Sequence, residues 1–115
     1  MKAGDDVTLQ CRGPTDASIV LIEWNRSDLK SDDYVFFYRE NRLYEHYQHP
    51  SFHGRVELRD PKMKNGDASV ILKNVTVNDT GTYECFVRTN SSNDFTQLIN
   101  LKVTDPGEFV VSRCC

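Results

Sequence analysis

Asp79-Thr80-Gly81-Thr82-Tyr83-Glu84-Cys85, DTGTYEC, changes character half-way along. Its first three residues read as a turn. From Thr82 onward polar and large positions alternate, as in a strand with one buried face. A tyrosine two residues before a cysteine, straight after a bend that glycine permits, marks a corner where the chain enters a sheet.

Working outward, the same alternation recurs over 7–11, 19–26 around Trp24, 55–58, 68–72, 81–87 and 98–103. Two further strands fit 34–39 and 42–47, folded about Glu40-Asn41. Turn residues fall between them: Gly13-Pro14-Thr15-Asp16, then Lys64-Asn65-Gly66-Asp67 as a hairpin signal, then a polar loop tip over 90–94. No segment carries the 3.6-residue period of a helix, so the pattern is all-β.

At 115 residues the chain is one domain with room for a real core. A net charge of -3 from interspersed acids and bases offers no basic face for nucleic acid or anionic lipid. No apolar run approaches the roughly 20 residues needed to cross a bilayer. The start, MKAGDDVTLQC, lacks the apolar stretch of a secretory leader, which leaves a cytosolic chain or a piece of something longer.

The cysteines choose between these. Cys11 and Cys85 each occupy a buried-phase position of a short alternating segment and read as a structural pair. A bond between them would restrain most of the chain, contributing about 4–5 kcal/mol in the chain-entropy account, and it favours an oxidising compartment. Four Asn-x-Ser/Thr sequons, at Asn25, Asn74, Asn78 and Asn90, point the same way, towards the secretory pathway and the outside of a cell.

Cys11, Trp24, Cys85 and Tyr83 two residues before the second cysteine together resemble the immunoglobulin fold. The resemblance implies a Greek-key sandwich of two antiparallel sheets, with Trp24 packed on a Cys11–Cys85 bond. It also makes Tyr83 the corner between strands E and F, and pairs Arg55 with Asp79 across the bottom. The stretch from Trp24 to Arg55 is long enough for strands C′ and C″, so the expected subtype is the variable type, with nine strands, over residues 1–105. Residues 106–115 read as a linker, a hinge or a vector-derived tail, carrying the adjacent Cys114 and Cys115.

Antigen-receptor variable domains carry a Gly-x-Gly bulge in the last strand, whereas DFTQLINLKV has no glycine. VFFYREN, HPSFHGRVEL and DASVILKNVTVNDTGTYEC instead resemble the butyrophilin and myelin-oligodendrocyte-glycoprotein group and its co-stimulatory relatives. Adhesion receptors of the coxsackievirus-and-adenovirus-receptor and junctional-adhesion type share much of the frame. The implied function is the extracellular recognition domain of a type I plasma-membrane immune receptor or ligand that binds a protein partner, on another cell or the same membrane, in cell-cell signalling. Homophilic adhesion, with a homodimer through the same face, is the alternative.

Strand alternation and the family alignment select a face. Glu23, Phe86 and Arg88 point outward on strands C and F. The alignment places Val35 and Phe37 inward on C′, leaving Phe36 and Tyr38 outward. Leu98 faces solvent on G while Ile99, Leu101 and Val103 face the core. Phe36, Tyr38, Phe86 and Leu98, rimmed by Glu23 and Arg88, then form an aromatic docking surface on strands G, F, C and C′. A glycan on Asn25 would rise from that face. The loops 13–18, 39–44 and 89–94 are the second candidate surface, decorated by Asn90, while Asn74 and Asn78 lie near the bottom turn.

Nothing points to catalysis. His46, His49 and His53 sit on a loop without acid or cysteine at ligand spacing and read as surface histidines with mild pH sensitivity. No nucleophile elbow, phosphate loop or metalloprotease helix occurs. The expectation is no enzyme, no cofactor, no metal, no nucleic acid and no small-molecule substrate.

Overall fold

The computed structural model describes residues 2–15, 17–28, 33–91 and 94–104. The tail from position 105, with Cys114 and Cys115, lies outside them. Eight strands follow in chain order among the described residues: β1 Val7–Leu9, β2 Ile19–Arg26, β3 Phe36–Arg39, β4 Arg42–Leu43, β5 Val56–Leu58, β6 Val70–Leu72, β7 Gly81–Thr89 and β8 Asp94–Leu101. One sheet runs β4-β3-β2-β7-β8 and the other β1-β6-β5, with every pairing between strands antiparallel. Ahead of β1 a single parallel bridge joins Lys2 to Thr104.

Inward positions of the two sheets interdigitate. Trp24, Tyr83, Phe52, Ile22, Leu72, Val70 and Val87 are fully buried. The β2–β7 register sets Trp24 directly beside Cys85, which is bonded to Cys11 across a Cα–Cα distance of 6.4 Å. The indole therefore lies on the bond that ties the sheets together, and its Nε1–H donates to the Ala68 carbonyl at 3.3 Å. An indole nitrogen buried without an acceptor would cost about 1–3 kcal/mol, so this contact fixes the ring as well as filling space.

At the opening stretch, Val77–Asp79 form a 3₁₀ turn closed by reciprocal bonds between Thr76 and Asp79. The Tyr83 hydroxyl donates to the Asp79 carbonyl at 2.5 Å, and burial pushes its phenol pKa up, keeping it a donor. The Asp79 carboxylate accepts from Arg55 Nη1 at 3.3 Å and Nη2 at 2.5 Å, and from the Thr76 amide at 2.9 Å. Arg55 completes its donors on the carbonyls of Ser51, Lys73 and Asn74. Arg55 and Asp79 thus close the corner as an ion pair.

Most strand boundaries shift from expectation, and the two largest shifts have clear causes. The chain leaves the ladder after Leu43, and Glu45–Tyr47 form a 3₁₀ turn where the sequence reads as strand. Glu40 and Asn41 both adopt left-handed φ, 56° and 60°, the geometry of a two-residue mirror-image turn that matches strand twist. Past this turn, Tyr44 and Tyr47 fold onto Phe37, and that aromatic packing draws the backbone off the sheet. At the other end β8 starts at Asp94, because Asp94 and Phe95 extend the ladder opposite Arg88 and Val87.

Candidate recognition face

The outward face of the five-stranded sheet is built around Glu23. Its neighbours Ile22 and Trp24 are fully buried, and the register sets Phe37 of β3 on one side of it and Phe86 of β7 on the other. Phe37 is the floor of an aromatic cluster, only 7% exposed, with the rings of Tyr34, Tyr44 and Tyr47 at 5.0, 5.3 and 5.0 Å. Tyr47 is 45% exposed at its rim. Arg42 and Arg39, directly paired across β3–β4, place their guanidinium carbons 4.6 and 5.3 Å from the Tyr44 ring centre. On the far side Leu98 of β8 is 68% exposed, opposite Glu84 of β7.

Glu23, Phe86, Arg88 and Leu98 therefore share one face, but Phe36 and Tyr38 do not join them. Phe36 is paired with Trp24, is 2% exposed and packs in the core. Tyr38 is paired with Ile22, stacks on Phe36 at 5.9 Å and lies half-buried against the core. The reason is strand phase. The Val35 amide bonds the Trp24 carbonyl at 2.8 Å before β3 begins, so Val35 and Phe36 are both buried and alternation restarts one residue late. Phe37 takes the outward place assigned to its neighbours. The Tyr34, Phe37, Tyr44 and Tyr47 cluster is the part of the face that sequence reasoning missed. Its signal was the tyrosine spacing in YVFFYRENRLYEHY, which no strand period explains.

Charge on this face is unevenly settled. Arg88 gives its Nε and Nη2 hydrogens to Asp94 at 3.1 and 3.4 Å and lies over Phe86 at 5.5 Å. Burial pushes the Glu23 carboxyl above its ordinary value, against the pull of Arg88 and a hydrogen bond with Tyr34, and Glu84 adds to the push. The folded protein thus holds this proton more tightly than the unfolded chain. Stability falls as pH rises through a window opening near the ordinary value of 4.5, and the loss is complete above the raised one. Glu23→Gln is expected to raise the melting temperature at about pH 7 by on the order of 1 °C and to give no gain at about pH 3. Equal shifts at both pH values would show that the charge is not what the fold resists.

The immunoglobulin V-set family model matches residues 1–104. The chain is an immunoglobulin V-set domain. Among its relatives, the coxsackievirus and adenovirus receptor homolog of Danio rerio is 35% identical over 92 residues, covering 75% of this chain and 24% of that protein. Myelin-oligodendrocyte glycoprotein of Macaca fascicularis is 33% identical over 105 residues, covering 90% of this chain and 41% of that protein. The IgV-like domain of human B7-H4 superposes with a TM-score of 0.77 at 26% identity, covering 90% of this chain and 89% of that one. The relatives are cell-surface receptors and immune proteins. The V-set domain spans only 24% and 41% of the length of these two curated relatives. Among the described residues no helix is long and apolar enough to cross a membrane.

On the V-set domain the sequons occupy different settings. Asn25 is half-buried on the outward face of the five-stranded sheet, beside Glu84. Asn74 and Asn78 are exposed near the corner, and their backbone carbonyls accept from Arg55 and Arg26. Asn90 accepts the Ser18 amide on its side-chain oxygen at 3.3 Å, and Ser92 of its sequon lies outside the described residues. His46 is exposed, whereas His49 and His53 are local structural groups. His49 Nδ1 accepts the Ser51 amide and caps the Pro50–Phe52 turn, while His53 Nε2 meets the carbonyls of Glu45 and Gln48, both acceptors, and so carries the proton.

Proposed function

We propose that this V-set domain is the extracellular recognition module of a cell-surface immune receptor or ligand, docking a protein partner through the outward face of β8, β7, β2 and β3. The observation that carries the reading is the Tyr34–Phe37–Tyr44–Tyr47 cluster, which shares its face with Phe86 and the highly exposed Leu98. Apolar and aromatic surface rimmed by charge is the composition of an interface core. A monomer gains no stability from holding Leu98 in water.

Leu98→Asp tests this, with Val77→Asp, an exposed apolar residue on the 3₁₀ turn before the corner, as control. Both substitutions are expected to leave stability within about 0.5 kcal/mol of wild type. Tetramerised Leu98→Asp domain is expected to stain partner-bearing cell lines at least about tenfold more weakly, and Val77→Asp to stain as wild type. Staining lost with Val77→Asp and kept with Leu98→Asp would move the partner off this face.

Homophilic adhesion is the second reading, favoured by one observation. The same face carries Arg39 and Arg42 at its β3–β4 edge and Glu23 and Glu84 on β2 and β7, so an isologous pair could match basic to acidic. Sedimentation velocity over a wide concentration range separates the two, since only the homophilic domain self-associates and loses that property in Leu98→Asp.

A further inference from the structure

Two carboxylates stand on the outward face with no cation bonded to them among the described residues. The register sets Phe86 beside Glu23 and Asn25 beside Glu84, so the two acids are diagonal neighbours across β2–β7, about 7 Å apart in backbone terms. Among the described residues neither has a lysine or arginine within ion-pair distance. Arg88, the guanidinium whose charge reaches Glu23, is already held by both oxygens of Asp94. Around the acids stand flat apolar walls: Phe37 and Phe86 flank Glu23, the Tyr34 ring packs on Phe37 at 5.0 Å, and Leu98 lies opposite Glu84.

We infer that this pocket of charge is the anchor for an arginine side chain of the protein partner, its guanidinium bonded to Glu23 and Glu84 and its plane against Phe86 and Tyr34. The inference rests on the reading of this face as the docking surface. A partner that covered the face without bringing a cation would strip water from two carboxylates and leave Glu23 only the charge of Arg88, which Asp94 already shares, so its docking would be disfavoured. The acids thus select among partners as well as bind. Arginine fits better than lysine, because its planar fork matches carboxylate oxygens in pairs while its faces stack on aromatic rings.

The test is side-chain carboxyl NMR of the whole domain, titrated with N-acetyl-arginine amide and, separately, with the uncharged isostere N-acetyl-citrulline amide. Arginine is expected to shift the Glu23 and Glu84 carboxyl carbons and the Phe86 and Tyr34 ring signals saturably, with citrulline at least about tenfold weaker. A Glu23→Gln, Glu84→Gln double variant is expected to lose the response while its remaining spectrum stays native. Shifts at Glu23 and Glu84 no larger than those at Glu57, which has Lys73 at 3.4 Å, or at Asp60 would overturn the anchor. If Leu98→Asp abolishes cell staining and the arginine response is absent, the docking face stands and the anchor falls. A specific arginine response together with staining indifferent to Leu98→Asp would keep a cation site and discard the face.

Discussion

Asp79→Ala is expected to lower the unfolding free energy by about 3–5 kcal/mol, a large share of the roughly 5–15 kcal/mol available to a domain of this kind. The carboxylate is 6% exposed as a side chain, against 25% for Arg55, so little solvent can replace it. Its removal leaves the guanidinium with three backbone carbonyls and no counter-charge, and strands the Thr76 amide that opens the 3₁₀ turn. The turn places the Asp79 carbonyl that receives the Tyr83 hydroxyl, so loosening it also loosens the corner. Asp79→Asn, which keeps an acceptor oxygen but not the charge, is expected to fall between. Urea or guanidinium unfolding measures the difference, and a loss below about 1 kcal/mol would mean that Arg55 finds solvent as good a partner. Added salt should change the wild-type value little, because a pair this enclosed is poorly screened.

The corner was legible because each of its residues performs a task few others can. Tyr83, Cys85, Cys11 and Trp24 sit where a buried phenol, a cross-link and a large ring are needed together, and together they pick out one fold, whereas Gly81 is not at the bend but opens β7, where a Cβ would crowd the Arg26 side chain at 3.3 Å. The phase of β3 was not legible. In VFFYR both faces of the strand are apolar, so alternation carries no information, and a slip of one residue exchanges the faces entirely. What sets the phase is tertiary: the Val35 amide on Trp24 and the place beside the indole that Phe36 fills. The tyrosine cluster was hidden for a related reason. Tyr44 and Tyr47 reach Phe37 only because Glu40 and Asn41 turn the chain back in left-handed backbone that a sequence allows but does not announce. Arg88 was read as a free rim charge because Asp94 looked like a loop tip, whereas cross-strand pairing makes them partners.

The phase of β3 can itself be measured by comparing Phe36→Ala with Phe37→Ala. Phe36 is sealed between the sheets, beside Trp24 and stacked on Tyr38, so its removal leaves a hole that the surroundings fill poorly. A cost of about 3–5 kcal/mol is expected. Phe37 is also mostly covered, but by three tyrosines on the outer surface, which can settle towards the space or admit water. Its stability cost is expected to be about half as large or less, since the penalty depends on how well a site can collapse. The functional order is the reverse. Phe37→Ala removes the floor that holds Tyr34, Tyr44 and Tyr47 in place and is expected to weaken partner staining, whereas any folded Phe36→Ala protein keeps the outer surface. Calorimetry of both variants, with staining by whatever fraction folds, reads the two orders independently. Phe37 as the costlier residue, with Phe36 controlling recognition, would mean that β3 presents its other face and that the alternation drawn from Val35 was right.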